Sequence, residues 1–208
     1  LVFAFTTPGN RTDKVFAEAG IDTLLKEKDK VNKEYLEMRG VVMQSKTSEK
    51  GEGKLLDSAY VRIYDGTRKL LVSFVTKKNG KCDFRLPLNA KFIIEVTRKG
   101  YVTKYLEVNT KVPDDKRAAF IFPFTIDIFE FVKGLDASVL KKPIAKVNYS
   151  FGSDHFSYDF GYTDRINNEL KKMYKDYYFL QTVENEMGAD SNETVKPDTS
   201  GKKTPRKH

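Results

Sequence analysis

The chain has 208 residues, 39% of them hydrophobic and 12% aromatic, and its 37 Lys and Arg outnumber 29 Asp and Glu to give a net charge of +8. That is enough apolar material for the core of one medium domain with appendages, while the lack of any run of roughly 18 or more apolar residues excludes a membrane-spanning helix. A single cysteine, Cys82, excludes an internal disulfide and any multi-cysteine zinc site. The charge excess carries little pattern: residues 196–208 hold Lys196, Lys202, Lys203, Arg206 and Lys207 against Asp198, half of the net charge. With neither a basic recognition helix nor an aromatic RNP-type strand motif, nucleic acid is not an expected partner.

Leu1-Val-Phe-Ala-Phe5, followed by Thr-Thr-Pro-Gly-Asn, reads as the end of a signal-peptide apolar region. Residues 1–12 are therefore expected to be a signal remnant and linker, and the protein to be exported to the periplasm or cell envelope. Residues 13–34 read as a polar helix or spacer, with Asp13 placed to cap it and a thin apolar stripe through Phe16, Leu24 and Val31. From Tyr35 the period changes to two. Strands are expected at 35–44, 59–64, 69–76, 82–88, 91–97, 101–109 and 118–128; Ala59, Val61 and Ile63, for example, share one face.

Asp65-Gly66 supplies one tight reversal and Asn79-Gly80 another, since Asn-Gly is the cheapest pair for two residues at positive φ. The second is expected to close a β-hairpin between strands 69–76 and 82–88. Cys82 falls on the same face as Phe84, Leu86 and Leu88, as a buried thiol would. Gly51 and Gly53 mark a longer loop over 45–54, and Pro123 falls where an edge strand or bulge accepts a missing N–H. The fold class is mainly β, an about seven-stranded transthyretin/Ig-like β-sandwich over 35–131. Beyond it, residues 132–183 are expected to add a hairpin and an amphipathic helix. Ala145, Val147, Tyr149 and Phe151 alternate up to Gly152-Ser-Asp154, and Phe156, Tyr158 and Phe160 alternate after it. Thr163 or Asp164 then caps a helix in which Ile166, Leu170, Met173, Tyr174 and Tyr177 recur at helical spacing. Residues 184–208 lack periodicity and read as a disordered charged tail.

The elements from Gly40-Val41 through Ala59-Tyr-Val61, Thr76 with Gly80 and Phe84, Leu86-Pro87-Leu88 and Phe92-Ile-Ile-Glu-Val96 to Lys99-Gly100-Tyr101 resemble, in order and spacing, the carboxypeptidase-regulatory-like domain. This is a transthyretin-like β-sandwich of exported bacterial proteins. The resemblance covers residues 35 to about 131 and implies a non-catalytic folding, spacing or adhesion module in an envelope assembly. Cys82 departs from it, standing where such domains more often place an aromatic.

Catalytic groups are sparse. His155 and His208 are the only histidines, and Ser153-Asp154-His155 are neighbours in sequence whose side chains would point apart. Asp114, Asp115, Asp127 and Glu130 lack metal-loop spacing. The chain is therefore expected not to be an enzyme and to hold no cofactor or metal. The remaining candidate for recognition is aromatic: Tyr149, Phe156, Tyr158 and Tyr162 crowd one short region and form a candidate interaction patch, unless these rings pack the hairpin onto the helix through Tyr174 and Tyr177. The expected function is a non-catalytic exported module with a structural or protein-interaction role at the bacterial cell envelope, its partner an envelope protein. The alternative is a glycan-binding module using the hairpin 145–162. Sequence leaves the oligomeric state open.

Overall fold

Alternation decides which side chains meet. In β1 (Tyr35–Gln44) Leu36, Met38 and Val42 face inward, and in β6 (Lys91–Thr97) Phe92, Ile94 and Val96 do so, while Lys91, Ile93 and Glu95 turn outward. The computed structural model describes residues 34–45 and 53–190. The expected signal remnant, polar spacer and last part of the tail lie outside the described residues.

Two sheets result. The first holds β1 at its centre, antiparallel to β5 (Phe84–Pro87) and to the short β2 (Lys54–Leu55), and parallel to β8 (Ala119–Ile128) along its whole length, from Tyr35 beside Ala119 to Gln44 beside Ile128. The second has six strands in the order β10 (His155–Tyr158), β9 (Ala145–Ser150), β7 (Lys104–Asn109), β6, β3 (Tyr60–Asp65), β4 (Leu70–Val75). All of its pairings are antiparallel except β7 with β9. The fold is mainly β, a two-sheet sandwich with one C-terminal helix. Its added hairpin, β9–β10, extends the larger sheet through the parallel β7–β9 pairing. Pro123 sits in β8, which pairs with β1 alone among the described residues, so its missing N–H costs no ladder bond on the open side.

Between the sheets Leu36, Met38, Val42, Val61, Ile94, Val96, Val108, Ile126 and Ile128 are sealed from solvent. Gly40 is required there: a Cβ would stand 2.4 Å from Cys82 Sγ and from Phe124 Cζ. Cys82 is buried, and burial pushes its thiol up to about 12.

The turn at Asn79-Gly80 forms, but the expected hairpin does not. Gly80 has φ +69° and its N–H donates to Lys77 O at 2.8 Å, but Asn79 is not at positive φ, so the turn expected to hold both residues left-handed is replaced by one centred on Lys78 and Asn79 with Gly80 alone left-handed. The strands on either side nevertheless belong to different sheets, β4 pairing with β3 and β5 with β1. The turn carries the chain across the sandwich. It is anchored to β1, where Val42 N–H donates to Gly80 O at 2.8 Å, and a Cβ on Gly80 would come within 2.4 Å of Val42 O. The reversal at Asp65-Gly66 does join paired strands: Asp65 Oδ1 accepts the N–H groups of Thr67 and Lys69.

A second apolar cluster lies beside the first. Helix α1 (Phe160–Asp190) buries Ile166, Met173 and Tyr177 against Val102, Phe129, Val132, Leu135, Val139 and Leu140. Two features of α1 differ from expectation. Its cap is Asp159, whose Oδ1 accepts the Tyr162 N–H at 2.9 Å, one turn earlier than Thr163 or Asp164. The helix also runs to Asp190, past residue 183 where the sequence periodicity stops.

Candidate interaction site

The structure turns the aromatic hairpin inward. Tyr149 and Phe156, 7% and 4% exposed, stack edge-on with each other at 5.7 Å between centroids, and Phe120 of β8 stands 5.7 Å from the first and 5.2 Å from the second. Tyr158, half-buried, packs on Phe122 at 5.1 Å. Tyr162 lies apart in the first turn of α1, donating its hydroxyl to Pro143 O at 2.7 Å with Lys146 Nζ over its ring at 4.8 Å. The four residues thus do not form one exposed face. Nor do the hairpin rings pack on Tyr174 and Tyr177, which instead surround Phe129, the latter at 4.4 Å. The exposed rings of the region are Phe160 at the start of α1 and Phe151 at the turn. There His155 Nδ1 lies 2.8 Å from Ser153 O, while Asp154 pairs with Lys116 at 2.8 Å and accepts the Tyr149 hydroxyl, so the three neighbours do not converge. Lys116 and Tyr149 together hold the Asp154 carboxyl below its ordinary range.

The opposite edge of the same sheet is built differently. Strand β4, Leu70-Leu-Val-Ser-Phe-Val75, carries no charged side chain and pairs only with β3 among the described residues. Val72 and Phe74 reach the core, where Phe74 meets Phe84 at 5.9 Å, and a bulge between Ile63 and Tyr64 shifts the register near Leu71. Leu71 and Val75 are 38% and 41% exposed, and Leu70 and Tyr60 are exposed beside them. Thr76 N–H donates to Ala59 O at 2.8 Å, so alternation along the strand points the Phe74 and Val72 amides toward β3 and the Ser73 and Val75 amides toward the open side. An uncharged edge with unpaired amides is a template for another strand. The strand was legible in the sequence; its place at the edge was not, because only the sheet order shows which strand lacks a second neighbour. The available signal was the contrast between six uncharged residues and their cationic flanks.

A charged cluster joins the sandwich to α1. Lys104 stands in phase with Leu106 and Val108 on β7, so its side chain enters the core and is 2% exposed. Its ammonium donates to Tyr174 Oη at 2.5 Å and lies 3.3 Å from Asp127 Oδ1, while Tyr174 donates to Asp127 Oδ2 at 2.9 Å and Ser45 Oγ bonds the same oxygen. The rings of Tyr174 and Phe129 lie 5.1 and 5.4 Å from the ammonium. Burial lowers the Lys104 pKa, and Asp127 opposes the shift. For Asp127 burial raises the pKa, but Lys104 and the two hydroxyls outweigh it and the carboxyl titrates below its ordinary range. The arrangement fastens α1 at Tyr174 to β7 and β8. Its signal was a lysine in phase with the apolar face of a strand.

On the outer face of the larger sheet Tyr64, Arg68, Glu95, Thr103 and Tyr105 line an open depression of about 350 Å³. Glu95 there is engaged by Arg62 at 3.0 Å and by the Tyr64 hydroxyl at 3.3 Å. No helix among the described residues is long and apolar enough to cross a membrane.

No family model matches the chain, and no curated protein does. Solved structures similar to it include the TIE protein of Bacillus anthracis, at 18% identity and a TM-score of 0.36 over 46% of this chain and 17% of that one. S.CueP is similar at 16% identity and a TM-score of 0.29, over 47% and 63%. Wild-type catechol 1,2-dioxygenase of Acinetobacter radioresistens is similar at 13% identity and a TM-score of 0.36, over 55% and 57%. The chain spans less than two thirds of each. These likenesses are to β-rich folds. They also correct one expectation: the chain was expected not to be an enzyme, yet its structural neighbours include dioxygenases, so that expectation does not stand. At these TM-scores the likeness assigns this chain no reaction.

Proposed function

We propose that the chain is an exported module of carboxypeptidase-regulatory-like type that serves at the bacterial cell envelope as a structural or protein-binding element, and that it makes its contact through the open edge of β4. The single observation that carries the binding role is the uncharged strand Leu70–Val75, with Leu71 and Val75 exposed and two amides directed away from the sheet. The resemblance running from Gly40-Val41 to Lys99-Gly100-Tyr101 supports export. Binding of glycan by the hairpin 145–162 loses its support, because Tyr149 and Phe156 are spent on the core.

A photo-crosslinking residue placed at Leu71 in growing cells tests this. The expected result is a discrete adduct with an envelope protein that is absent when the same residue replaces Phe179, which is exposed on α1. Adducts with cytosolic proteins alone, or equal adducts from both positions, would overturn it.

A further inference from the structure

Both ends of β4 are cationic. Arg68 and Lys69 precede the strand and Lys77 and Lys78 follow it, all exposed. The nearby carboxylates are engaged elsewhere: Asp65 accepts the Thr67 and Lys69 amides, and Asp57 faces Arg98 at 3.9 Å. This charge distribution says what the edge selects. A second copy of the chain is disfavoured in either direction. Antiparallel pairing of β4 with itself sets Lys69 of one copy beside Lys77 and Lys78 of the other, and parallel pairing sets each end beside its twin; like charges across a strand pair are destabilising.

Resting on the proposal that β4 is the contact edge, we infer that its occupant is an extended protein segment with an alternating apolar centre and acidic residues at both flanks. The centre of that segment takes the outward amides and carbonyls of Ser73 and Val75 and covers Leu71, Val75 and Tyr60. Its flanking carboxylates meet Lys69 at one end and Lys77 and Lys78 at the other, while Arg68 turns over the Tyr105 ring on the sheet's outer face. The backbone supplies affinity without sequence preference, and the charges at the two ends supply the choice of partner.

The test uses the full chain and two synthetic peptides, Glu-Glu-Val-Thr-Val-Thr-Val-Glu-Glu and its counterpart with Lys at the four flanking positions. Amide shifts on titration should be confined to β4 and its β3 neighbours, and the Glu-flanked peptide should bind at least about tenfold more tightly at low ionic strength, the preference shrinking as salt rises. Ser73→Pro, which removes an outward N–H, should abolish binding. Because a proline variant can fail for reasons of folding, the triple change Lys69→Glu, Lys77→Glu and Lys78→Glu, at exposed sites, provides the second arm and should reverse the preference toward the Lys-flanked peptide. Equal binding of the two peptides, shifts centred away from β4, unchanged preference in the triple variant, or self-association of the chain through β4 would each overturn the inference. The Leu71 adduct separates the two claims: an envelope protein captured there while the peptides show no charge preference leaves the binding role standing and sinks its acidic-flank selectivity.

Discussion

The two edges of the six-stranded sheet, one aromatic and one mainly aliphatic, meet opposite fates. At the β10 edge the rings of Tyr149, Phe156 and Tyr158 fold across the rim onto Phe120 and Phe122 of β8, and the exposed Lys116–Asp154 pair lies beside the turn. At the β4 edge nothing among the described residues crosses the rim, and Leu70, Leu71 and Val75 stay exposed. The difference teaches that aromatic density does not mark a surface. Rings are the side chains that gain most from burial, so a cluster of them closes a core unless the fold denies it a second sheet, and the side left open can be an inconspicuous aliphatic strand.

The sharpest way to break this contrast is to truncate one residue from each edge. Phe156→Ala should cost about 3–5 kcal/mol, as expected for a fully packed ring, whereas Leu71→Ala should stay within about 0.5 kcal/mol; both are read from denaturant unfolding. Equal effects would mean that the two edges are not distinct. A somewhat smaller loss is expected where the closed half is fastened to α1. Asp127→Ala leaves the Lys104 ammonium buried without its carboxylate and should cost about 3 kcal/mol, much of it recovered when Lys104→Met is added. If the double variant is as unstable as the single, the cluster is not an ion pair in need of its partner.

The same carboxyl gives the closed half a pH signature. Its folded pKa lies below the unfolded value, so its contribution is complete above an ordinary aspartate pKa of about 4 and is lost as pH falls through the folded value. Asp127→Asn should flatten that acid limb of the stability profile, and an unchanged limb would assign it to other groups. Lys104 acts at the far end with the other sign: its lowered pKa means that burial of the charge is a penalty relieved as pH rises toward the unfolded lysine value near about 10. The smallest expected change is at the cap of α1, where Asp159→Ala should cost about 1 kcal/mol by helix content and unfolding midpoint.

Much of the fold was legible along the chain because alternation is local. Strands 35–44 and 91–97 have the expected ends, and the helical stripe Ile166, Met173, Tyr177 is the buried one. Pairing was not legible. Asn79-Gly80 marks a reversal, which forms with Gly80 alone left-handed, but whether the chain returns to the same sheet or crosses to the other depends on β1, nearly forty residues earlier, whose carbonyl and amide groups hold the turn. The ten-residue parallel ladder of β1 with β8 and the parallel joint of β7 with β9 are likewise set by distant partners. Lys104 was readable in principle from its phase with Leu106 and Val108. Which way the hairpin rings face was not, since Tyr149, Phe156 and Tyr158 would alternate identically on a surface and in a core.

Amide hydrogen exchange across β4 in the free chain tests the open edge most directly. Ser73 and Val75 should exchange rapidly while Phe74 and Thr76, bonded to β3, remain protected, giving an alternating pattern along the strand. Uniform protection of all four amides would show that another segment already occupies the edge, and would remove the binding surface on which the proposed role depends.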